Sequence, residues 1–196
     1  MSHPSSHGFM AVLSLVLCTA LLAVPEEAAG KSRNKEQPQP STTGAEGKKG
    51  GKPSQVGSFG DWGVFVAQGD KTKTCYALAA PKERLPAKLH RDPAYLFIST
   101  RPGDHVRSEI SIIMGFTVKE SAPARAEIGG ASFDLVAKGS NAWIKNQAEE
   151  PQFIEALKKG TKLTVKASSL KGNVTTDNYA LVGLSQALEL VAKECP

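Results

Sequence analysis

Cys75 and Cys195 place the tightest constraint on this chain. They are the two cysteines that remain once an N-terminal leader is set aside, and 120 residues separate them. One lies in a patterned β stretch and the other on the apolar face of a C-terminal helix. A bond between them closes the folded region from its second strand to its last helix. An even pair in an oxidising compartment is expected to bond. Loop-closure entropy over such a span limits the stabilisation to roughly 5 kcal/mol. The rival reading makes Cys75 a nucleophile activated by His90 or His105, which needs a lowered thiol pKa and an open site. Both cysteines sit on core-facing elements, which favours the disulfide.

The oxidising compartment follows from the N-terminus. Residues 10–24 (MAVLSLVLCTALLAV) form an uncharged apolar run of 15 residues, short of the roughly 20 that a permanent membrane span needs. Ala28-Ala29-Gly30 puts small residues at the −3 and −1 positions of a cleavage after Gly30. Residues 1–30 therefore read as a secretory signal peptide that leaves no transmembrane anchor, although residues 1–9 contain no Lys or Arg. Cys18 departs with the leader. A lipoprotein reading around it is weaker, because Leu17 stands where a small residue is wanted. The expected location is periplasmic or secreted.

Residues 31–57 (KSRNKEQPQPSTTGAEGKKGGKPSQVG) hold six basic residues against Glu36 and Glu46 and almost nothing apolar. Such a stretch cannot offset its conformational entropy by burial, so it reads as a disordered basic tether. Residues 58–196 are the size of one ordinary domain. That region carries eighteen Lys and Arg against fifteen Asp and Glu, too mild an excess for nucleic acid, and no basic stripe is interleaved with aromatics.

Period-two patterning dominates this region. Strands are expected at 59–66, 74–80, 95–100, 108–114, 126–128, 132–136, 142–145, 162–167 and 175–182. Gly129-Gly130 reads as a two-residue hairpin turn. One helix is expected at 149–160, with Pro and acids at its start, Lys and Gly at its end, and a stripe of Phe153, Ile154 and Leu157. A second, C-terminal helix from about Leu184 aligns Leu184, Ala187, Leu188, Val191 and Cys195 on one face. Many short strands with frequent turn signals predict a mainly β fold, a two-sheet β-sandwich with two short α-helices.

No reaction motif is present. His90 and His105 have no spaced partners for a metal set, and neither a nucleophile elbow nor a phosphate-cradling loop occurs. No catalytic residue and no cofactor is expected. Asn173-Val174-Thr175 fits a glycosylation sequon. The feature that stands out is basic loops. Residues 81–93 (PKERLPAKLHRDP) are long for a hairpin link, and Arg101 and Arg107 flank the next one. Arg84, Lys88, Arg91, Arg101 and Arg107 are the candidate binding residues, forming a cationic rim for an anionic partner if their loops share one end. The loops before and after 95–100 flank a single strand, so a shared rim requires 81–93 to fold back along the sheet.

Several blocks resemble the invasion-associated locus B family. These are Phe59-Gly60-Asp61-Trp62, Cys75-Tyr76-Ala77 and Phe97-Ile98-Ser99-Thr100-Arg101-Pro102, then Ser108-Glu109-Ile110-Ser111 with Gly115-Phe116. Ala142-Trp143-Ile144-Lys145 and the closing Tyr179-Ala180-Leu181 through Ala187-Leu188 to Cys195 complete the series. The resemblance covers nearly all of 58–196, in order; the tether is longer than the family pattern. It implies a small exported protein of Gram-negative bacteria with an immunoglobulin-like sandwich and a link to host-cell entry or association. It supports the paired cysteines and supplies no ligand or catalytic residue.

The leading expectation is a non-enzymatic exported protein that contributes to host-cell association, invasion or envelope interaction by binding an unknown protein or an anionic surface. The alternative is a structural or chaperone-like periplasmic protein that holds other exported proteins by strand addition. A hydrolase ranks third.

Overall fold

A computed structural model describes residues 51–69 and 72–196. The leader and residues 31–50 of the tether lie outside the described residues. In chain order the strands are β1 (Ser54–Phe59), β2 (Trp62–Gln68), β3 (Lys73–Ala79), β4 (Glu83–Leu85), β5 (Tyr95–Arg101), β6 (Val106–Ile113), β7 (Ala124–Ile128), β8 (Ala131–Lys138), β9 (Asn141–Ile144), β10 (Lys162–Ser168) and β11 (Val174–Ala180). Helix α1 (Glu150–Lys159) precedes β10, and α2 (Leu184–Glu194) follows β11. The fold is mainly β with two helices, the second C-terminal, as the patterning predicts.

The strands pair antiparallel in one order, β1-β2-β3-β5-β6-β9-β8-β7-β10-β11-β4. Two separate sheets were the expectation; the ladders instead run through all eleven described strands. The reason is a narrow joint. β6 and β9 share two residue pairs, Ile112↔Ala142 and Ile113↔Asn141. Below that joint β6 leaves an edge that meets the start of α1, where Glu150 accepts from the Ile110 backbone. Burial, then the nearby Glu109, pushes the Glu150 carboxyl up, and that bond pulls it down. Turn signals mark hairpins equally well in one sheet or two, so the sequence does not distinguish a corner from a break.

Both halves of the sheet bury one face in a single core. Val64, Ala77, Ile98 and Ile110 line it from one half, and Phe133, Leu163 and Val165 from the other. Trp62 has no exposed surface and links the halves, its Nε1 donating to Ala180 O at 3.1 Å. The helices close the core with the predicted stripes. Phe153, Ile154 and Leu157 of α1 are buried, and Phe153 meets Phe133 edge to face at 4.9 Å. Leu184, Ala187 and Val191 of α2 are buried with Cys195, while Leu188 packs against the core partly buried. Gly183, at φ +93°, lets α2 begin hard against the β1–β2 turn: a Cβ there would lie 2.1 Å from Phe59 O. No helix among the described residues is long and apolar enough to cross a membrane.

Three boundaries differ from expectation. β1 begins at Ser54, so the last residues assigned to the tether belong to the sheet. The stretch 59–66 is two strands, because Phe59 pairs with Trp62 across a turn at Gly60 and Asp61. Residues 81–93 are not a plain loop, because β4 within them pairs with β11. Short strands at sheet edges carry too few residues for a periodicity to show.

Cys75 and Cys195 are joined, with Cα atoms 5.9 Å apart and neither residue exposed. The bond fastens the end of α2 to β3. Unreduced protein without residues 1–30, and so without Cys18, should therefore show no free thiol by intact mass after alkylation. Replacing both cysteines by Ser should lower stability in urea by about 2–5 kcal/mol, and two alkylatable thiols without reduction would overturn the assignment.

Candidate functional site

Along β11, inward register falls on Thr175, Asp177 and Tyr179, and all three are buried. An aspartate at such a position must find partners or leave its charge unpaired in the core. Asp177 finds two. It pairs in register with Arg84 of β4, whose Nε donates to both carboxylate oxygens at 3.3 Å. Arg91 Nη1 donates to Oδ1 at 3.0 Å. The remaining Arg84 nitrogens bind backbone, Nη1 donating to Asp92 O at 2.7 Å and Nη2 to Met114 O at 2.8 Å. Arg91 Nη2 donates to Pro86 O at 3.3 Å.

Burial pushes the Asp177 carboxyl above its ordinary value, and the two guanidinia pull it back. The Tyr179 phenol is pushed up chiefly by burial and further by Asp177, with Arg84 opposing. Two guanidinia face one carboxylate, so the cluster keeps a positive charge in excess. Two donors in it, Arg91 Nε and the Tyr179 hydroxyl, are buried with no acceptor among the described residues. Only 5 % of the Arg91 side chain is exposed.

Beside this cluster opens a cleft of about 470 Å³, within the size range of small-molecule sites. Leu89 to Asp92 form one wall and residues 169–175 the other, with Gly115, Phe116 and Thr117 between them. Gly115, at φ +68°, makes the first wall possible. A Cβ there would lie 2.1 Å from Asp92 O, and its carbonyl accepts from Asp92 N at 2.9 Å. His90 and Lys171 are exposed at the cleft, and Leu170 stands 67 % exposed on the turn after β10.

The structure divides the five candidate cations. Arg84 and Arg91 come together on Asp177, and Lys88 stays exposed on the same loop. Arg101 ends β5 and Arg107 lies at the start of β6, at the other end of β5. There Arg101 bonds Asp104 at 3.2 Å and Glu109 at 2.8 Å, and Arg107 Nη1 donates to Cys195 O at 3.0 Å. One shared rim does not form, because the two connections leave opposite ends of one strand and 81–93 folds toward β11. Sequence reasoning missed Asp177, Tyr179 and the wall at 169–173. The signal was available: Thr175, Asp177 and Tyr179 alternate on the strand predicted at 175–182, which puts the acid on the face that Tyr179 buries.

A second feature lies on the other face of the sheet. Phe65 and Tyr76 stack at 5.3 Å, and Phe97 and Tyr95 extend the row. All four stay half-buried by covering one another. Set against models of known families, curated proteins and solved structures, the chain matches none.

Removing Arg84 should raise Asp177 further. A carboxyl whose folded-state value lies above its unfolded one adds stability that is complete below the unfolded value. That stability is lost as pH rises through the folded value. Arg84→Met should therefore cost about 3–5 kcal/mol near neutrality and distinctly less near pH ~4, read by urea unfolding at each pH. A penalty independent of pH would show that Arg84 does not set the charge of Asp177.

Proposed function

We propose that this chain is an exported, non-enzymatic binding protein akin to the invasion-associated locus B proteins, acting in host-cell association or invasion or at the bacterial envelope. The observation that carries this reading is the buried Cys75–Cys195 disulfide, which suits folding in the periplasm or outside the cell. The immunoglobulin-like sandwich of that family belongs to the same proposal. In its favour, the two halves of the sheet share one core and meet through only two residue pairs, as two layers joined at a corner do. The cleft between residues 89–92 and 169–175 is the proposed place of binding. Arg84 and Arg91 serve it as cations fixed on Asp177, and Lys88 and Lys171 as exposed charge.

A second reading, strand addition by a chaperone-like envelope protein, draws on β1. Among the described residues that strand ends the sheet order and pairs with β2 alone. Its register shift between Gln55 and Gly57 interrupts the edge that a partner would extend.

The two readings differ in salt dependence, because exposed charge is screened and backbone pairing is not. Replacing Lys88 and Lys171 together by Glu should lower the salt needed to elute the protein from heparin resin and reduce its retention by envelope extract. Unchanged elution, with capture that survives high salt, would favour the edge of β1. Fractionation of cells producing the full chain tests export, and reduced protein confined to the cytoplasm would refute it.

A further inference from the structure

We propose that the cleft beside Asp177 binds a small amphipathic organic acid, its carboxylate received by Arg91 and its apolar part laid on Leu89, Phe116 and Leu170. The inference rests on the cleft being the place of binding and is independent of the export reading. Three observations converge on it.

The first is the missing acceptor. Arg91 is almost wholly buried, two of its nitrogens are occupied by Asp177 and Pro86 O, and its Nε has no acceptor among the described residues. The Tyr179 hydroxyl next to the same aspartate also lacks one. A buried donor without an acceptor costs about 1–3 kcal/mol, and the excess guanidinium charge adds the need for a negative partner. Arg91 itself lines the cleft, so an oxyanion entering there sits beside the excess guanidinium charge.

The second is the balance of the walls. His90, Arg91 and Lys171 line the cleft against a single acid, Asp92. Leu89, Phe116 and Leu170 supply an apolar surface, and Leu170 is a large apolar side chain left in water on an exposed turn. A bare inorganic anion would leave that surface and most of the volume unused.

The third is rigidity. The Arg84–Asp92 and Asp92–Gly115 bonds fix one wall, and Ser169 Oγ accepts from Asn173 N at 3.1 Å to hold the turn of the other. A cleft already in shape has little ordering left to oppose binding.

The test is titration of the purified disulfide-bonded protein with hexanoate, followed by backbone amide NMR. Saturable shifts are expected at Leu89 to Asp92, at Gly115 to Thr117 and across the 169–173 turn. Acetate, 1-hexanol and inorganic phosphate should each bind at least about tenfold more weakly, since each lacks the head or the apolar part. Arg91→Lys keeps a charge for Asp177 but removes the planar fork, and should weaken hexanoate about tenfold. Leu170→Ser lies outside the core and should weaken hexanoate several-fold, by about the loss of a few buried methylenes, without changing the affinity for acetate. Absence of shifts at these residues up to about 50 mM hexanoate would overturn the proposal. So would 1-hexanol or phosphate binding as well as hexanoate, or full affinity in both variants. These readouts use isolated protein, so the inference can fail while export and cell association stand, and the reverse.

Discussion

A carboxylate without exposed surface, held between two guanidinia, organises one end of this fold. Asp177 belongs to β11, Arg84 to the three-residue edge strand β4, and Arg91 to the loop that leads into β5. Through Arg84 the same centre reaches Asp92 O and Met114 O, so β4 and the loop after it, Met114 and β11 meet at one charge. Three ladder pairs hold β4 as an edge strand, and the ion pair of Arg84 adds to them. A hydrophobic substitute could pack there with comparable stability. It could not direct bonds to two backbone carbonyls at once, and those bonds give the loop after β4 its course.

The opposite end of β5 is tied by different means. The disulfide fixes the last residues of α2 to β3, Arg107 donates to Cys195 O, and Lys73 bonds the Glu194 backbone. Between these ends lies an ordinary apolar core in which Trp62 reaches across to β11. The covalent tie and the ionic tie act on different parts of the folding balance. The first restricts the unfolded chain; the second depends on protonation through Asp177. Each end therefore responds to its own chemical variable, one to redox conditions and the other to pH.

Much of this was legible in the sequence, and the reasons differ from element to element. Long alternating stretches such as Lys162 to Ala167, and the two helical stripes, declare themselves because burial of one face is a local property. The disulfide was legible because Cys75 and Cys195 both fell on core-facing elements of the patterned region. β4 was hidden because three residues carry no period, and Arg84 reads as one more loop cation until Asp177 is placed across from it. The joint between β6 and β9 was hidden because strand order is a matter of long-range pairing, which turn spacing does not encode. Asp177 was the informative exception, a charged residue in an otherwise buried register, and such breaks in a pattern point to sites more directly than the pattern does.

Counting charges along the 81–93 loop treats five basic residues as equals, and the fold separates them by environment. Arg91 is almost buried and Arg84 is half-buried, and the geometry of both is fixed by hydrogen bonds to a carboxylate without exposed surface. Lys88 is exposed, as is Lys171 across the cleft, where salt screens them within about 10 Å at moderate ionic strength. The two kinds of cation are suited to different tasks. Exposed lysines draw an anion toward the surface and lose that pull as salt rises, whereas a buried guanidinium selects the geometry of what arrives. A surface that needed only attraction would have no use for buried arginines. A cleft that needed only selection would have no use for exposed lysines around it. Their coexistence at one place, with an apolar wall between them, is why this corner of the domain, rather than its net charge, is the proposed place of binding.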